Sequence, residues 1–228
     1  MLAAVRINPF ETCGRQDLLA VMQGRPDLVM MSKVASAEQV RRLGEAISSL
    51  EAELGIPAGA TEIVPNVETA AGLVRTGEIV TASARVTAAL VAAEDMVADL
   101  GAERTPEGSE LAYARSRFLV ECVAAGVVAI DCPYTYSGLA GAEADLTFAR
   151  RLGYKAKSIV NTDQVALVNR MLTPSVEEIA RARATIAAFD AARAQGRDRV
   201  EVEGLMVEVP TYHAAKRLIV RAEELGAA

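Results

Sequence analysis

Short apolar stretches alternate with longer stretches of helical periodicity along most of the chain. Six of the short stretches are largely continuous in apolar residues rather than strictly alternating, which is typical of parallel strands covered on both faces. They span residues 3–8, 27–34, 62–68, 86–92, 127–131 and 155–160. Because these strands alternate with helical stretches long enough to cross over, the pattern predicts an α/β fold with a parallel sheet. The connections between the strands are expected to be right-handed.

The helical stretches between and after these strands carry recognisable start signals. The predicted helices span residues 37–54, 70–83, 107–125, 139–152 and 175–194. Ser36 with Gln39, and Ser175 with Glu178, have the spacing of a capping box, in which two backbone donors are satisfied reciprocally. Beyond Gly196 the pattern changes to a short two-stranded segment over 199–209 and a final amphipathic helix over 211–225.

Two parallel architectures compete, an open doubly wound sheet and a closed barrel. The sequence contains neither G-x-G-x-x-G nor G-x-x-x-x-G-K-[ST], and this absence argues against an open sheet of the nucleotide-binding type. Polar residues lie at or just after the carboxyl ends of most of the predicted strands, where a TIM-type (β/α) barrel places its active site. These residues are Arg6, Asn8, Lys33, Glu68, Glu94, Asp95, Asp131 and Asn161.

The barrel prediction comes with a shortfall in the number of units. Six βα units are counted where a complete barrel has eight, so the chain is expected to lack the first two. Residues 1–196 are predicted to form the partial β/α barrel domain. Residues 197–228 are predicted to form a C-terminal extension that packs on a neighbouring subunit.

Composition narrows the possible functions. The 228 residues carry a net charge of −6 with a pI near 5.0, which argues against a nucleic-acid-binding surface. No apolar run reaches the ~18 residues that a membrane span needs, and the first residues lack a signal-peptide layout. Three cysteines without C-x-x-C spacing suggest buried thiols in a reducing compartment. The sequence therefore predicts a cytoplasmic protein without a membrane or nucleic-acid partner.

Two carboxylates mark a candidate metal site. Glu68 and Asp95 follow two successive predicted strands, and adjacent strands lie about 5 Å apart. A hard cation held by two protein carboxylates, with water and substrate oxygens in the other positions, is typical of Mg²⁺. Helix N-caps or solvated loop residues would give the same spacing, so both interpretations stay open at this point.

Basic residues offer further chemistry. Arg6 lies inside an apolar strand, and its guanidinium either binds an anionic substrate or forms an ion pair with one of the acids just named. Lys33 and Lys157 are strand lysines, which in a desolvated site can form Schiff bases, so a metal-free aldolase is a competing hypothesis. His213, the sole histidine, is interpreted as structural.

The order of several short segments resembles one known family. The segments are VRINPFETCGRQDL (5–18), MSKVASAEQV (31–40), IVPNVETAAGL (63–73), AAEDMVADLG (92–101), ELAYARSRFLVECVAAG (110–126), AIDCPY (129–134), GLAGAEADLTFARRLGYKAKSI (138–159), TPSVEEIARA (173–182) and EGLMVEVP (203–210). Together they resemble the citrate lyase beta-subunit family, which includes malyl-CoA and citramalyl-CoA lyases and is related to metal-dependent 2-keto-acid aldolases.

This resemblance implies a magnesium-dependent carbon–carbon lyase acting on a hydroxyacyl-CoA ester. It implies that Glu68 and Asp95 bind Mg²⁺, that Ala93 and Glu94 contact the substrate together with them, and that Arg6 holds the oxoacid or the enolate oxygen. The resemblance also implies a trimer or hexamer. In such an assembly, a carboxylate from a G-x-M-x-D-x-P segment of one subunit acts as acid or base in the site of its neighbour. Glu208 stands at that position, where the family usually has Asp.

Several departures from the family pattern keep two other functions open. Ser32 replaces the Pro before the strand lysine, Ala92 replaces a Gly, and VNTDQ (160–164) replaces an I-H-P-x-Q segment. The altered positions Ala92 and Asn161, together with the expected lack of the first two βα units, motivate the hypothesis of a non-catalytic acyl-CoA-binding or structural homologue. The third hypothesis is a metal-dependent aldolase acting on free 2-keto acids.

Overall fold

The computed structural model describes residues 2–227, and a parallel sheet is its central element. Its strands are β1 (Ala4–Ile7), β2 (Leu28–Met31), β3 (Glu62–Val67), β4 (Ala88–Val91), β5 (Val128–Asp131) and β6 (Ala156–Lys157). They lie side by side in chain order, and each neighbouring pair is parallel. A doubly wound sheet would reverse its strand order at a switch point, whereas strictly sequential order is that of a TIM-type barrel. The predicted α/β class and parallel sheet are confirmed.

Helices follow nearly every strand. They are α1 (Gly14–Met22), α2 (Ala37–Leu54), α3 (Ala70–Leu73), α4 (Thr76–Val80), α5 (Glu94–Leu100), α6 (Ala112–Ala124), α7 (Leu139–Leu152), α8 (Val165–Leu172), α9 (Val176–Ala194) and α10 (Val209–Glu224). Short 3-10 turns occupy Ser109–Leu111 and Thr162–Gln164. The antiparallel strands β7 (Val200–Val202) and β8 (Leu205–Val207) form the predicted two-stranded segment.

Local sequence signals explain where the long helices begin and end. Helix α2 has the predicted bounds, its N-terminal capping box is formed by Ser36 and Gln39, and it ends at Gly55 in the left-handed conformation. The second predicted capping box, at Ser175, is also present. The predicted helix over 70–83 is instead two short helices, because Arg75 adopts non-helical angles between them. The helices α1, α5 and α8 were not predicted, since each is a short stretch of nine residues or fewer.

The sheet has two distinct faces. Alternate residues of a strand point to opposite sides, and Ile7, Met31, Ile63 and Val91 belong to the buried hydrophobic core. Helices α1, α2, α4 and α6 contact the strands that carry this core. The other face bears the intervening residues, which include Arg6, Met30, Val64, Asn66 and Leu90. On this second face, Arg6 and Asn66 lie near the carboxyl ends of β1 and β3.

The chain forms two compact units, one through Val168 and one from Asn169 onward. The first contains the six-stranded sheet. In the second, α9 packs against α10, with the Phe189 and Tyr212 rings 4.8 Å apart. The division falls before residue 196, and the assignment of 1–196 and 197–228 as barrel and extension stays a prediction. Within residues 2–227 no helix is both long and apolar enough to span a bilayer.

Candidate active site at the carboxyl ends of the strands

Glu68 is a buried carboxylate directly after β3. Its residue surface is 4% exposed. Burial is the main cause that raises the pKa of Glu68, and the charge of Asp95 raises it further. Asn66, Arg6 and the Lys33 backbone N–H lower this pKa and only partly offset the rise. A buried acid that is destabilised by a second acid is a strong candidate to bind a cation.

Asp95 lies in the first turn of α5, the helix that follows the neighbouring strand β4. Val67 pairs with Val91, and the Ala92 N–H donates to the Val67 carbonyl at 3.0 Å, so the two chain segments leave the sheet side by side. Asp95 is half exposed, and its Oδ1 lies 3.1 Å from the Lys33 Nζ. The predicted proximity of Glu68 and Asp95 agrees with this register and with their mutual electrostatic effect.

Lys33 balances these two acids. The hydrogen bond and charge of Asp95 raise the pKa of Lys33, with a smaller contribution from Glu68. Its backbone has a φ of +53°, which is unusual for a residue other than glycine. The flanking backbone is fixed on both sides, because the Ser32 N–H donates to the Ile7 carbonyl at 3.1 Å and the Val34 N–H donates to the Asn66 carbonyl at 3.0 Å. A Schiff-base lysine needs a lowered pKa, so the environment of Lys33 disfavours the metal-free aldolase.

Arg6 reaches this site from β1, two strands away from Glu68. It is exposed and lies on the same sheet face as Val64, with which it aligns through Met30. Its positive charge lowers the pKa of Glu68. No ion pair to Arg6 is found among residues 2–227, so its guanidinium is available to an anionic ligand.

Ala93 and Glu94 form the start of α5 next to Asp95. Ala93 is the N-cap residue and is buried. The Glu94 carboxylate accepts hydrogen bonds from Thr135 Oγ1 at 2.6 Å and Arg104 Nε at 3.2 Å. Through these bonds Glu94 ties α5 to the loop after β5. The side chain of Glu94 is thus engaged by protein groups.

Glu208 lies in the other unit of the chain. It is exposed and precedes α10 as its N-cap, and its side chain makes no capping hydrogen bond. Pro210 occupies the first turn of α10, where proline is favoured. His213 belongs to the same helix and stacks edge-on against Tyr212 at 5.6 Å. This contact fits the structural role predicted for the histidine.

Two further polar residues at strand ends form ion pairs with each other rather than with Glu68 or Asp95. Asp131 and Lys157 form a buried ion cluster with Arg115 and Asp145. The Lys157 Nζ contacts Asp131 Oδ2 at 2.7 Å, Asp145 Oδ2 at 2.5 Å and the Cys132 carbonyl at 2.7 Å. Lys157 is therefore fully engaged as an ion-pair partner. Arg115 and Asp145 could not be singled out from the sequence, because both lie within helical stretches of ordinary amphipathic pattern.

The donor set fits one kind of metal ion. No group of three or more His, Cys, Asp or Glu side chains arranged to hold a metal occurs among the described residues. Zinc sites need three or four such ligands. Two carboxylates on adjacent chain segments instead fit a hard divalent cation that keeps several water or substrate ligands.

Comparisons with known proteins identify the family of the chain. Residues 1–162 match the model of the HpcH/HpaI aldolase/citrate lyase family. The chain is 33% identical to citrate lyase subunit beta of Haemophilus influenzae over 221 residues, which covers 96% of this chain and 76% of that protein. It is 28% identical to the L-malyl-CoA/beta-methylmalyl-CoA lyase of Cereibacter sphaeroides over 247 residues, covering 98% and 77%.

A solved structure shows the same fold. CitE of Mycobacterium tuberculosis, in complex with magnesium, acetoacetate and coenzyme A, superposes with a TM-score of 0.76 and 28% identity. The match covers 96% of this chain and 78% of that one. The relatives are named lyases, which supports the predicted enzyme class, a carbon–carbon lyase.

Proposed function

Because this chain belongs to the HpcH/HpaI aldolase/citrate lyase family, we propose that it is a magnesium-dependent lyase that cleaves a hydroxyacyl-CoA ester into an oxoacid and an acyl-CoA thioester. The observation that carries the proposal is the buried Glu68 carboxylate beside Asp95, with the Arg6 charge acting on the same point. Relatives named for citrate and malyl-CoA cleavage support the ester type. The assay of malyl-, citramalyl- and citryl-CoA identifies which of these esters is the substrate.

The proposed cation site consists of Glu68 and Asp95. When bound there, Mg²⁺ would supply Lewis-acid stabilisation of negative charge on substrate oxygens. The Lys33 ammonium now neutralises Asp95 at 3.1 Å, so cation binding requires this side chain to move. Lys33 is half exposed and flexible enough for that displacement.

Arg6 and the first turn of α5 would hold the substrate. The planar guanidinium of Arg6 suits a carboxylate or an enolate oxygen. Ala93, Glu94 and Asp95 present the backbone of the α5 turn to the oxoacid part. During cleavage a base accepts the hydroxyl proton, the carbinol C–O becomes a carbonyl, and the C–C bond breaks. Its electron pair passes to the thioester as an enolate, whose charge Arg6 stabilises before protonation completes the acyl-CoA product.

Glu208 is the proposed acid or base, supplied by a neighbouring subunit. Its exposed position and unengaged side chain at the start of α10 support this role. The proposal includes a homotrimer or hexamer in which residues 197–228 pack on the neighbour, and a cytoplasmic location. Relative to Asp, the extra methylene moves the carboxylate by about 1 Å, a displacement that can change the rate about 100-fold.

Charge-neutral variants of the two carboxylates test the proposal. Glu68→Gln and Asp95→Asn are each expected to lower magnesium-dependent cleavage of a CoA ester at least about 100-fold, because each removes a charged ligand. Glu45→Gln, on the exposed face of α2, serves as the matched control and keeps full activity. Retained activity in either site variant, with the fold intact by circular dichroism, contradicts the proposed site.

A second candidate is a metal-dependent aldolase that acts on free 2-keto acids. The family description includes aldolases, and this observation favours it. Retro-aldol cleavage of free hydroxy-oxoacids without CoA distinguishes the two activities. Cleavage of the free acids at the rate of the CoA esters would favour the aldolase.

A further inference from the structure

Arg104 joins three separate segments of the chain. It lies in the loop after α5, and 16% of its side chain is exposed. Its Nε donates to the Glu94 carboxylate at 3.2 Å, and its Nη1 donates to the Glu110 carboxylate at 2.8 Å in the 3-10 turn before α6. Its guanidinium also lies 5.2 Å from the centre of the Tyr136 ring, in the loop after β5. A planar guanidinium held by two carboxylates and a ring has little freedom to move.

Glu94 connects this arginine to the turn that carries Asp95. Two donors meet on the same oxygen, Glu94 Oε1, namely Arg104 Nε at 3.2 Å and Thr135 Oγ1 at 2.6 Å. Because Thr135 belongs to the loop after β5, the start of α5 is tied both to that loop and to the loop that follows α5. Asp95 comes directly after Glu94 in the same helical turn, so a fixed Glu94 side chain restricts the movement of Asp95.

The first turn of α5 has no cap of its own that could replace these bonds. Its N-cap residue is Ala93, which makes no side-chain hydrogen bond, whereas α2 begins with a complete capping box. The helix has seven residues, and Asp99 ties only its far end to the start of α3. The ion pair between Lys33 and Asp95 also holds the first turn, but cation binding displaces it. The bonds to Glu94 then remain to fix the turn.

We propose that Arg104 and Thr135 are positioning residues that hold the first turn of α5, through Glu94, so that Asp95 stays in place beside Glu68. The inference rests on the cation site of the proposed function. Residues that act on a site through an intermediate contact change its affinity by about 2- to 30-fold. An arginine retained only for the fold would have a different signature, with a loss of stability and no change in cation affinity.

The test measures cation affinity and thermal stability in the same variants of the full chain. Mn²⁺, which prefers the same oxygen ligands as Mg²⁺, is titrated and its free concentration is followed by electron paramagnetic resonance. Asp95→Asn shows whether the ion occupies the proposed site. Arg104→Met removes the guanidinium and keeps most of the aliphatic stem. Thr135→Val removes the second donor to Glu94 at an exposed position, so it decides the outcome if Arg104→Met does not fold.

The other acidic partner of Arg104 provides a matched control. The Glu110 side chain is 9% exposed and accepts hydrogen bonds from Arg104 Nη1 at 2.8 Å and from Thr105 Oγ1 at 2.8 Å. Glu110→Gln therefore disturbs the same arginine, but it leaves the bond between Arg104 Nε and Glu94 in place. A loss of cation affinity in this control would come from a general loosening of the loop.

We expect Arg104→Met and Thr135→Val each to bind Mn²⁺ at least about 3-fold more weakly than the wild type. Glu110→Gln is expected to keep the wild-type affinity even where its melting temperature is lower. A smaller loss of affinity in either folded variant overturns the inference, as does an equal loss in Glu110→Gln. Absence of Mn²⁺ binding by the wild type, or unchanged binding in Asp95→Asn, overturns the cation site itself, and this outcome is distinct from failure of the positioning role.

Discussion

Arg115 should be one of the positions at which a substitution destabilises the fold most, because it belongs to the buried ion cluster with Asp131, Asp145 and Lys157. Arg115 is 1% exposed and donates to Asp131 through Nε at 2.8 Å and Nη2 at 2.7 Å, and to Asp145 through Nη1 at 2.7 Å. Lys157 supplies the second cation, so two positive and two negative charges balance. Burial lowers the pKa of Arg115, but the neighbouring negative charges, chiefly that of Asp131, outweigh this effect and raise the pKa above its usual value. The substitution Arg115→Met keeps most of the volume and leaves the cluster with a net buried negative charge.

The structure allows the size of this effect to be estimated. Removing one partner of a buried ion pair costs about 3–5 kcal/mol, because an uncompensated charge remains in a low-dielectric surrounding. Each kcal/mol lowers the melting temperature of a chain of this length by about 2–4 °C. Arg115→Met should therefore lower it by about 6–20 °C. Adding Asp131→Leu restores the charge balance, because Lys157 still pairs with Asp145 at 2.5 Å, so the double variant should be more stable than Arg115→Met alone.

Urea unfolding of the wild type, both single variants and the double variant gives the required free energies. Arg41→Met is the matched control, because Arg41 pairs with Glu38 on an exposed face of α2 and should cost less than about 1 kcal/mol. A loss below about 1 kcal/mol for Arg115→Met would refute the reasoning. Additive losses in the double variant would also refute it, since they would mean that the charges do not interact.

Three further outcomes are expected. Burial raises the pKa of Glu51, but hydrogen bonds from Arg85 and nearby backbone N–H groups lower it from 4.5 to about 2; the resulting stability of about 3 kcal/mol is present above pH 5 and lost as the pH falls toward 2. The stability difference between wild type and Glu51→Gln, followed by acid unfolding, should shrink over that range. Gly14→Ala would bring a Cβ within 2.0 Å of the Asn8 carbonyl oxygen, and thermal unfolding should show a loss of about 3 kcal/mol. Since Asp95 raises the pKa of Lys33, borohydride with an oxoacid at pH 7.5 should leave no adduct on Lys33 by mass spectrometry.

The sequence predicted the sheet well because its strands carry continuous apolar runs. Each of β1 to β6 lies within a predicted segment, and α2 and α7 have the predicted bounds because a capping box and a terminal glycine delimit them. The short helix α5 was missed since seven residues show little periodicity. The family and the lyase class are confirmed by the comparisons.

The site was predictable only in part. The position of Glu68 and Asp95 after successive strands follows from the order of the strands, which the sequence pattern indicates. The role of Asp131 in a buried cluster was not predictable, because its side of the strand depends on the register of a four-residue segment. The contact of Arg104 with Glu94 likewise depends on three-dimensional neighbours that no local pattern contains. The roles of Arg6, Ala93, Glu94 and Glu208 stay predictions.

The most direct test of the proposed function is turnover by the 228-residue chain itself. Cleavage of L-malyl-, citramalyl- and citryl-CoA is followed by release of the oxoacid and the thioester, once with Mg²⁺ and once with EDTA. The account predicts cleavage of at least one ester with Mg²⁺ and its loss in EDTA, with recovery when Mg²⁺ is restored. Equal rates in EDTA, or no cleavage of any ester by a folded protein, would contradict it, and the second result would favour a non-catalytic acyl-CoA-binding homologue.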